Sequence, residues 1–106
     1  MIGTVTLNAA IDKTVICEEF HTGGITRADE ALAVAGGKGI NVARTIHRLG
    51  GEVVAAGFAG GLNGWIIKRM LEEEGIKHRF VEIEGNSRMC LTIIQRKNLS
   101  ITEIYD

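Results

Sequence analysis

The chain has 106 residues, of which 45% are hydrophobic, 24% are charged and none is proline. These proportions indicate one soluble globular domain, because disordered chains contain fewer apolar residues and carry more net charge. The 12 basic and 13 acidic residues give a formal net charge of -1, which excludes the basic surplus of general nucleic-acid binders and of polybasic membrane anchors.

The first third of the chain predicts strands around a glycine-rich loop. Residues 2–7 are short, β-branched and followed by polar residues, which is typical of a strand. Residues 13–20 predict a second strand, and residues 26–34 fit either a strand or a helix by propensity. Residues 35–39 (AGGKG) contain too much glycine to form a stable element on their own.

Two helices and four further strands are predicted after this loop. A helix over residues 40–49 would bury a stripe formed by Ile40, Ala43, Ile46 and Leu49, and would end at the glycines that follow. Residues 52–58 form a nearly continuous apolar run, which predicts a strand covered on both faces.

The second helix is predicted over residues 64–74, with Asn63 as its N-cap and a glycine after its last residue. Its core stripe would comprise Ile66, Ile67, Met70 and Leu71, with Trp65 partly buried beside it. Three short β-type runs follow at residues 79–84, 89–95 and 99–105.

Helices between apolar strands indicate an α/β fold with a parallel sheet. Two helices cannot cover both faces of such a sheet, so we expect an unpaired edge and an apolar face.

The cysteines and histidines form no metal-binding pattern. Cys17 and Cys90 lie outside any CxxC, and the three histidines show no HxH or HxxxH spacing. We therefore predict no metal site and expect both cysteines to be buried like small apolar residues. No signal-peptide pattern and no membrane-length apolar run is visible, which predicts a cytoplasmic protein with no membrane or nucleic-acid partner.

The densest motif is GGKGINVA at residues 36–43. A glycine loop that runs into a helix brings backbone N–H groups close to a ligand, and the helix N-terminus favours negative charge. Leu32 and Gly39 stand where a Walker A loop requires glycine and Ser or Thr, and no GxGxxG is present. The residues alone leave open whether this segment binds a ligand or is a plain turn.

The combination of segments is more specific than any one of them, and it resembles the N-terminal part of the pfkB (ribokinase-like) carbohydrate kinases. Within that family the resemblance is to the 1-phosphofructokinase and tagatose-6-phosphate kinase branch. It covers essentially the whole chain and rests on these segments in this order: NAAID at 8–12, GGKGINVA at 36–43, LGGEVVAAGFAGG at 49–61, GNSRMCLTI at 85–93 and TEI at 102–104.

The resemblance implies the N-terminal portion of a ribokinase-like three-layer α/β/α fold with a β-strand lid. Residues 1–106 would be the sugar-binding portion, with lid strands at about 13–34 and 79–95. The nucleotide-binding and catalytic portion would be absent. The lid would exclude water from the sugar, and pairing of lids between subunits would give a homodimer.

The resemblance also implies the site residues. Asp12 matches the aspartate that hydrogen-bonds sugar hydroxyls, although on its own it would equally serve as a turn cap. Gly36, Gly37 and Asn41 match the loop that holds the sugar. The cationic residues Arg27, Lys38 and Arg88 match or lie beside the positions that bind the existing phosphate, and the alternative for each is a solvated surface charge.

The implied activity is transfer of the γ-phosphoryl group of ATP, with Mg²⁺, to a sugar phosphate. Fructose 1-phosphate is favoured, and tagatose 6-phosphate is next. Ala9 replaces the proline of the family's NPAID motif, and no G-x-G-D segment with its general base occurs up to Asp106. We therefore expect no catalytic residue in this chain and no kinase activity from it alone. The alternatives are a non-catalytic module that binds sugar phosphate or dimerises, and an interaction domain whose glycine loops are only turns.

Overall fold

The computed structural model describes residues 1–106, which form two helices and seven strands. The mixed α/β class predicted from the sequence is confirmed. Neither helix is long and apolar enough to cross a bilayer. The helices are α1 (Lys38–Arg48) and α2 (Gly61–Glu73); the strands are β1 (Ile2–Thr6), β2 (Ala10–Cys17), β3 (Glu30–Gly36), β4 (Val53–Ala59), β5 (Lys77–Glu82), β6 (Arg88–Gln95) and β7 (Ser100–Tyr105).

Three parallel strands form the first sheet, in the order β1-β4-β5. Both helices pack on the face of β4 that carries Val53 and Ala55, and the core lies between them and this sheet. The opposite face carries Val54 and Ala56, which are half-buried, and Phe58, which is 39% exposed. Within residues 1–106 β4 is therefore covered on one face only, and the other is the apolar face that two helices were expected to leave uncovered.

Four strands form the second sheet, in the order β3-β2-β6-β7. β2 is parallel to β6, and the two outer pairs are antiparallel. The structure divides the segment 79–95 that the sequence assigned to the lid. β5 pairs with β4 in the first sheet, because the crossover through α2 returns the chain beside β4 in the parallel direction. Only β6 joins the hairpin, and β7 extends it.

Both helices end where glycine was predicted to end them. Gly50 (φ 85°) follows α1 and Gly75 (φ 77°) follows α2, and the N–H groups of the next residues donate back to Ile46 O at 3.0 Å and Leu71 O at 2.9 Å. Both helices begin earlier than predicted. Asn63 is not the N-cap of α2; it lies inside the helix, where its Nδ2 donates to Ser87 O at 2.8 Å.

Four other element predictions change in detail. Residues 26–34 contain a strand, β3, which continues into the start of the glycine loop. β2 begins before residue 13 and ends before residue 20. Leu49 is 82% exposed, because it follows the last turn of α1, and Trp65 is 59% exposed with the Arg69 guanidinium over its ring. The predicted core stripe of α2 is confirmed, and Cys17 and Cys90 are both buried free thiols.

Candidate functional site

A groove of about 360 Å³ lies between the N-terminus of α1 and one face of the second sheet. Its lining combines one carboxylate with two cationic side chains and several hydroxyl and amide groups. The lining residues are Asp12, Thr14, Gly37, Lys38, Asn41, Arg88, Cys90, Thr92 and Tyr105.

Asp12 lies on β2 at the centre of the sheet, opposite Val34 of β3 and Cys90 of β6. Its carboxylate packs over the α-carbon of Gly36, the last residue of β3. A side chain at Gly36 would overlap both Oδ2 and Cγ of Asp12. Gly36 therefore leaves the space that the Asp12 carboxylate occupies, and any larger residue at this position would displace the carboxylate.

The environment of Asp12 raises the pKa of its carboxyl group above the ordinary value. Partial burial is the main cause, and the positive charges of Arg88 and Arg44 oppose it. A half-buried carboxylate that is not neutralised by a direct ion pair retains its capacity to accept hydrogen bonds. Such a group can accept from two neighbouring hydroxyls at once.

The glycine loop forms the second wall of the groove. Gly37 adopts φ 116° and ψ 153° immediately before α1, and a Cβ there would lie 2.5 Å from Cγ2 of Thr6. Asn41 N donates to Gly37 O at 2.9 Å, which closes the first helical turn. The N–H groups at the start of a helix have no partner within it, so this end of α1 is suited to an anion or a polar oxygen.

Arg88 begins β6 and points between the two walls. Its Nη2 lies 3.4 Å from Asn8 O, and its buried Nε has no hydrogen-bond partner in the protein. Lys38, the first residue of α1, is exposed and lines the same groove. These two cations leave donor capacity that a phosphate would satisfy.

The structure brings together all but one of the residues predicted for the site. Gly36 lies beneath Asp12, and Gly37, Lys38, Asn41 and Arg88 line the groove. Arg27 does not reach it. The nearby Asp29 N–H donates to Ile16 O at 2.7 Å, which places this segment four residues along β2 from Asp12, roughly 13 Å away at the usual rise per residue.

Sequence reasoning missed three hydroxyl-bearing residues of the groove wall, and it treated Cys90, which also lines the groove, only as a buried thiol. Thr14 lies two residues after Asp12, and Thr92 and Tyr105 face the same side through the pairing of β6 with β2 and β7. The alternation of strand side chains would have identified Thr14, but the other two depend on register. The Tyr105 hydroxyl donates to the Glu103 carboxylate, which raises the pKa of Tyr105 above its ordinary value.

No three side chains among the histidines, cysteines, aspartates and glutamates converge on one point. The Mg²⁺ that the resemblance implies therefore has no ligand set of this kind within residues 1–106.

Comparison with known proteins gives one consistent family. Residues 3–105 match the family described as pfkB family carbohydrate kinase. The chain is 41% identical over 95 residues to the 1-phosphofructokinase of Haloferax volcanii, covering 89% of this chain and 31% of that protein. It is 37% identical over 94 residues to the tagatose-6-phosphate kinase of Staphylococcus epidermidis, covering 89% and 30%.

A solved structure shows the same arrangement of elements. It is described as a possible 1-phosphofructokinase from Thermotoga maritima, and it superposes with a TM-score of 0.90 at 38% identity. The superposition covers all of this chain and 35% of that one. The chain thus spans about a third of the length of the proteins that it matches.

Proposed function

The chain belongs to the pfkB family of carbohydrate kinases, and from that membership we propose that it supplies the sugar-binding part of an enzyme that phosphorylates a sugar phosphate with ATP. Fructose 1-phosphate is the favoured acceptor, and tagatose 6-phosphate is the second candidate. The observation that carries the proposal is the groove itself, which sets one carboxylate opposite two cations without a salt bridge between them.

The hydroxyl end of a sugar phosphate suits the carboxylate of the groove, and its phosphate end suits the two cations. Asp12 would accept hydrogen bonds from adjacent ring hydroxyls, and the Nδ2 group of Asn41 would donate to a ring or hydroxyl oxygen. Arg88 and Lys38 would bind the phosphate already present, with the guanidinium as the bidentate partner. Arg27 is not included in this assignment, because its segment lies away from the groove, and its role in phosphate binding stays a prediction.

In the proposed reaction, an acceptor hydroxyl oxygen attacks the γ-phosphorus of ATP, and the bond to the bridging oxygen of ADP breaks. The hydroxyl proton passes to a base. Residues 1–106 contain no G-x-G-D segment, so we propose that they orient the acceptor and that base, nucleotide and Mg²⁺ are held outside them. The family membership favours this proposal over a non-catalytic binding or dimerisation module.

The second sheet is the proposed lid and also the proposed dimer contact. Its grooved face also carries apolar side chains that include Leu32, opposite Thr14, and Ile101, both more than half exposed. An exposed apolar surface of this kind next to a ligand groove is suited to cover the ligand and to pack on a second copy.

Arg88→Ala tests the phosphate assignment. Calorimetric titration of the complete gene product should show binding of fructose 1-phosphate weakened about 10- to 100-fold, the usual cost of one charged hydrogen-bonding partner. Affinity for unphosphorylated fructose should change much less, because Arg88 is assigned to the phosphate. Arg79→Ala is the matched control, since Arg79 is an exposed arginine on β5 outside the groove. Equal binding of fructose 1-phosphate by Arg88→Ala and wild type would refute the assignment.

A further inference from the structure

One buried charge next to the groove has no part in the function proposed above. Arg44 lies one helical turn after Asn41, and its side chain is only 12% exposed. Its Nε and Nη2 donate to the two carboxylate oxygens of Glu74 at 2.6 and 2.8 Å. Nη2 also donates to Ala35 O at 2.6 Å, and Nη1 donates to Asn41 Oδ1 at 3.1 Å.

These contacts hold both sides of the glycine loop. Ala35 precedes the two glycines of the loop, and Asn41 follows them in the first turn of α1. A guanidinium carries donors only, so the Asn41 amide must present its oxygen to Arg44. The amide end left for a ligand is then Nδ2, which is a donor.

We infer that Arg44 is a positioning residue of the sugar site, which turns the Nδ2–H groups of Asn41 toward the groove. The inference rests on the proposed function, because it gives Asn41 the role of donor to a sugar oxygen. Asp12 then accepts hydrogen bonds from the ligand, and Asn41 donates hydrogen bonds to it.

Arginine suits this role because its planar fork makes bonds in three directions at once, which an ammonium group does not. Glu74 supplies the counter-charge from the end of α2, where its own N–H donates to Met70 O at 3.1 Å. The hydrogen bond from Arg44 lowers the pKa of the Glu74 carboxyl group. The pair therefore stays ionised near neutral pH and fixes the guanidinium between the two helices.

A matched control lies one turn further along α1. Arg48 Nη2 is 3.9 Å from the same Glu74 oxygen, but its side chain is 73% exposed and contacts neither Asn41 nor Ala35. Calorimetry on the complete gene product should show that Arg44→Gln weakens fructose 1-phosphate binding about tenfold, the equivalent of one misplaced hydrogen bond. Arg48→Gln should change it less than about twofold.

A double-mutant cycle separates positioning from general stabilisation. If Arg44 acts through Asn41, adding Arg44→Gln to Asn41→Ala should weaken binding less than about twofold further. A purely structural role predicts the same tenfold loss in both backgrounds, and that result would overturn the inference.

A second measurement does not depend on the ligand. In protein labelled with ¹⁵N-asparagine, the side-chain amide signals of Asn41 should shift and become more mobile in Arg44→Gln, but not in Arg48→Gln. Unchanged Asn41 signals in Arg44→Gln would overturn the inference even if the sugar phosphate binds. If the wild-type protein binds neither candidate sugar phosphate, the proposed function fails, and the amide signals still decide whether Arg44 orients Asn41.

Discussion

Substitution of Gly36 by alanine tests whether the Asp12 carboxylate needs the space that a glycine leaves at this position. An added Cβ would overlap Asp12 Oδ2 and Cγ and would lie 3.0 Å from Oδ1. Gly36 does not adopt a positive φ, so its backbone accepts alanine without strain. The overlap must therefore be relieved by rotation of the Asp12 side chain away from its observed position.

The displaced carboxylate would lose its hydrogen bonds to the sugar hydroxyls. A hydrogen bond to a charged group contributes about 1.5–3 kcal/mol, so the loss of one such bond weakens sugar binding about 10- to 100-fold. The free energy of unfolding should change much less. Replacing glycine by alanine restricts the unfolded chain by about 0.4–1 kcal/mol, which offsets part of the strain that remains after the rotation.

The assay is calorimetric titration of fructose 1-phosphate into Gly36→Ala and wild-type protein, with urea unfolding of each. Gly3→Ala is the control, because Gly3 is a strand glycine with nothing within 4 Å of an added Cβ. Combining Gly36→Ala with Asp12→Ala should weaken binding no further than Asp12→Ala alone. Full affinity in a folded Gly36→Ala protein would refute the reasoning.

The pH dependence of unfolding and the mass of the assembled protein provide two further tests. Because burial raises the folded-state pKa of Asp12 above its ordinary value of 3.8, the folded protein binds the proton more tightly than the unfolded chain does. The free energy of unfolding should therefore fall as pH rises from the unfolded-state pKa of Asp12 to its folded-state pKa, and it should stay lower at all higher pH values. Asp12→Asn should be more stable than wild type at pH 7 by urea unfolding while binding sugar phosphate more weakly, and equal or lower stability would contradict this account. Ile101→Glu, on the grooved face, should lower the mass measured by analytical ultracentrifugation from dimer to monomer, whereas Ile104→Glu, on the opposite face, should not; a wild-type monomer would refute the dimer.

The elements themselves were predictable because their signals are local. The apolar stripe of α2 and the glycines after both helices depend on spacings within one segment, and the structure confirms them. The partner of each strand is not a local property. β5 and β6 were both predicted as short β-type runs, and only the crossover through α2 and the pairing with β2 assign them to different sheets. The burial of Trp65 was wrongly predicted for the same reason, since it depends on what lies opposite, whereas Leu49 is exposed because α1 ends one residue before it.

For the site too, residues with a local sequence signal were predictable, and residues placed by strand pairing were not. Asp12, Asn41 and the glycines between them were identified by resemblance to a family, and the structure brings them to one groove. Thr92 and Tyr105 reach that groove only through the register of β6 with its neighbours. Arg44 carried a local signal, its spacing of one turn from Asn41. The spacing alone did not identify Arg44, because its position depends on Glu74, which follows the last residue of α2.

The groove joins two sheets that are otherwise linked mainly through the core beside α2. Asp12 and Arg88 belong to the second sheet, whereas Lys38 and Asn41 belong to the helix that covers the first. A ligand contacted from both sides would therefore add a polar connection to the one that Arg44 of α1 already makes with Ala35 of β3. Binding energy in such a groove would also help to fix the relative position of the sheets. Partial burial disfavours the charged form of the Asp12 carboxyl group in the free protein. Hydroxyl donors of a sugar phosphate would satisfy that carboxylate, so the ligand would stabilise the fold as it binds.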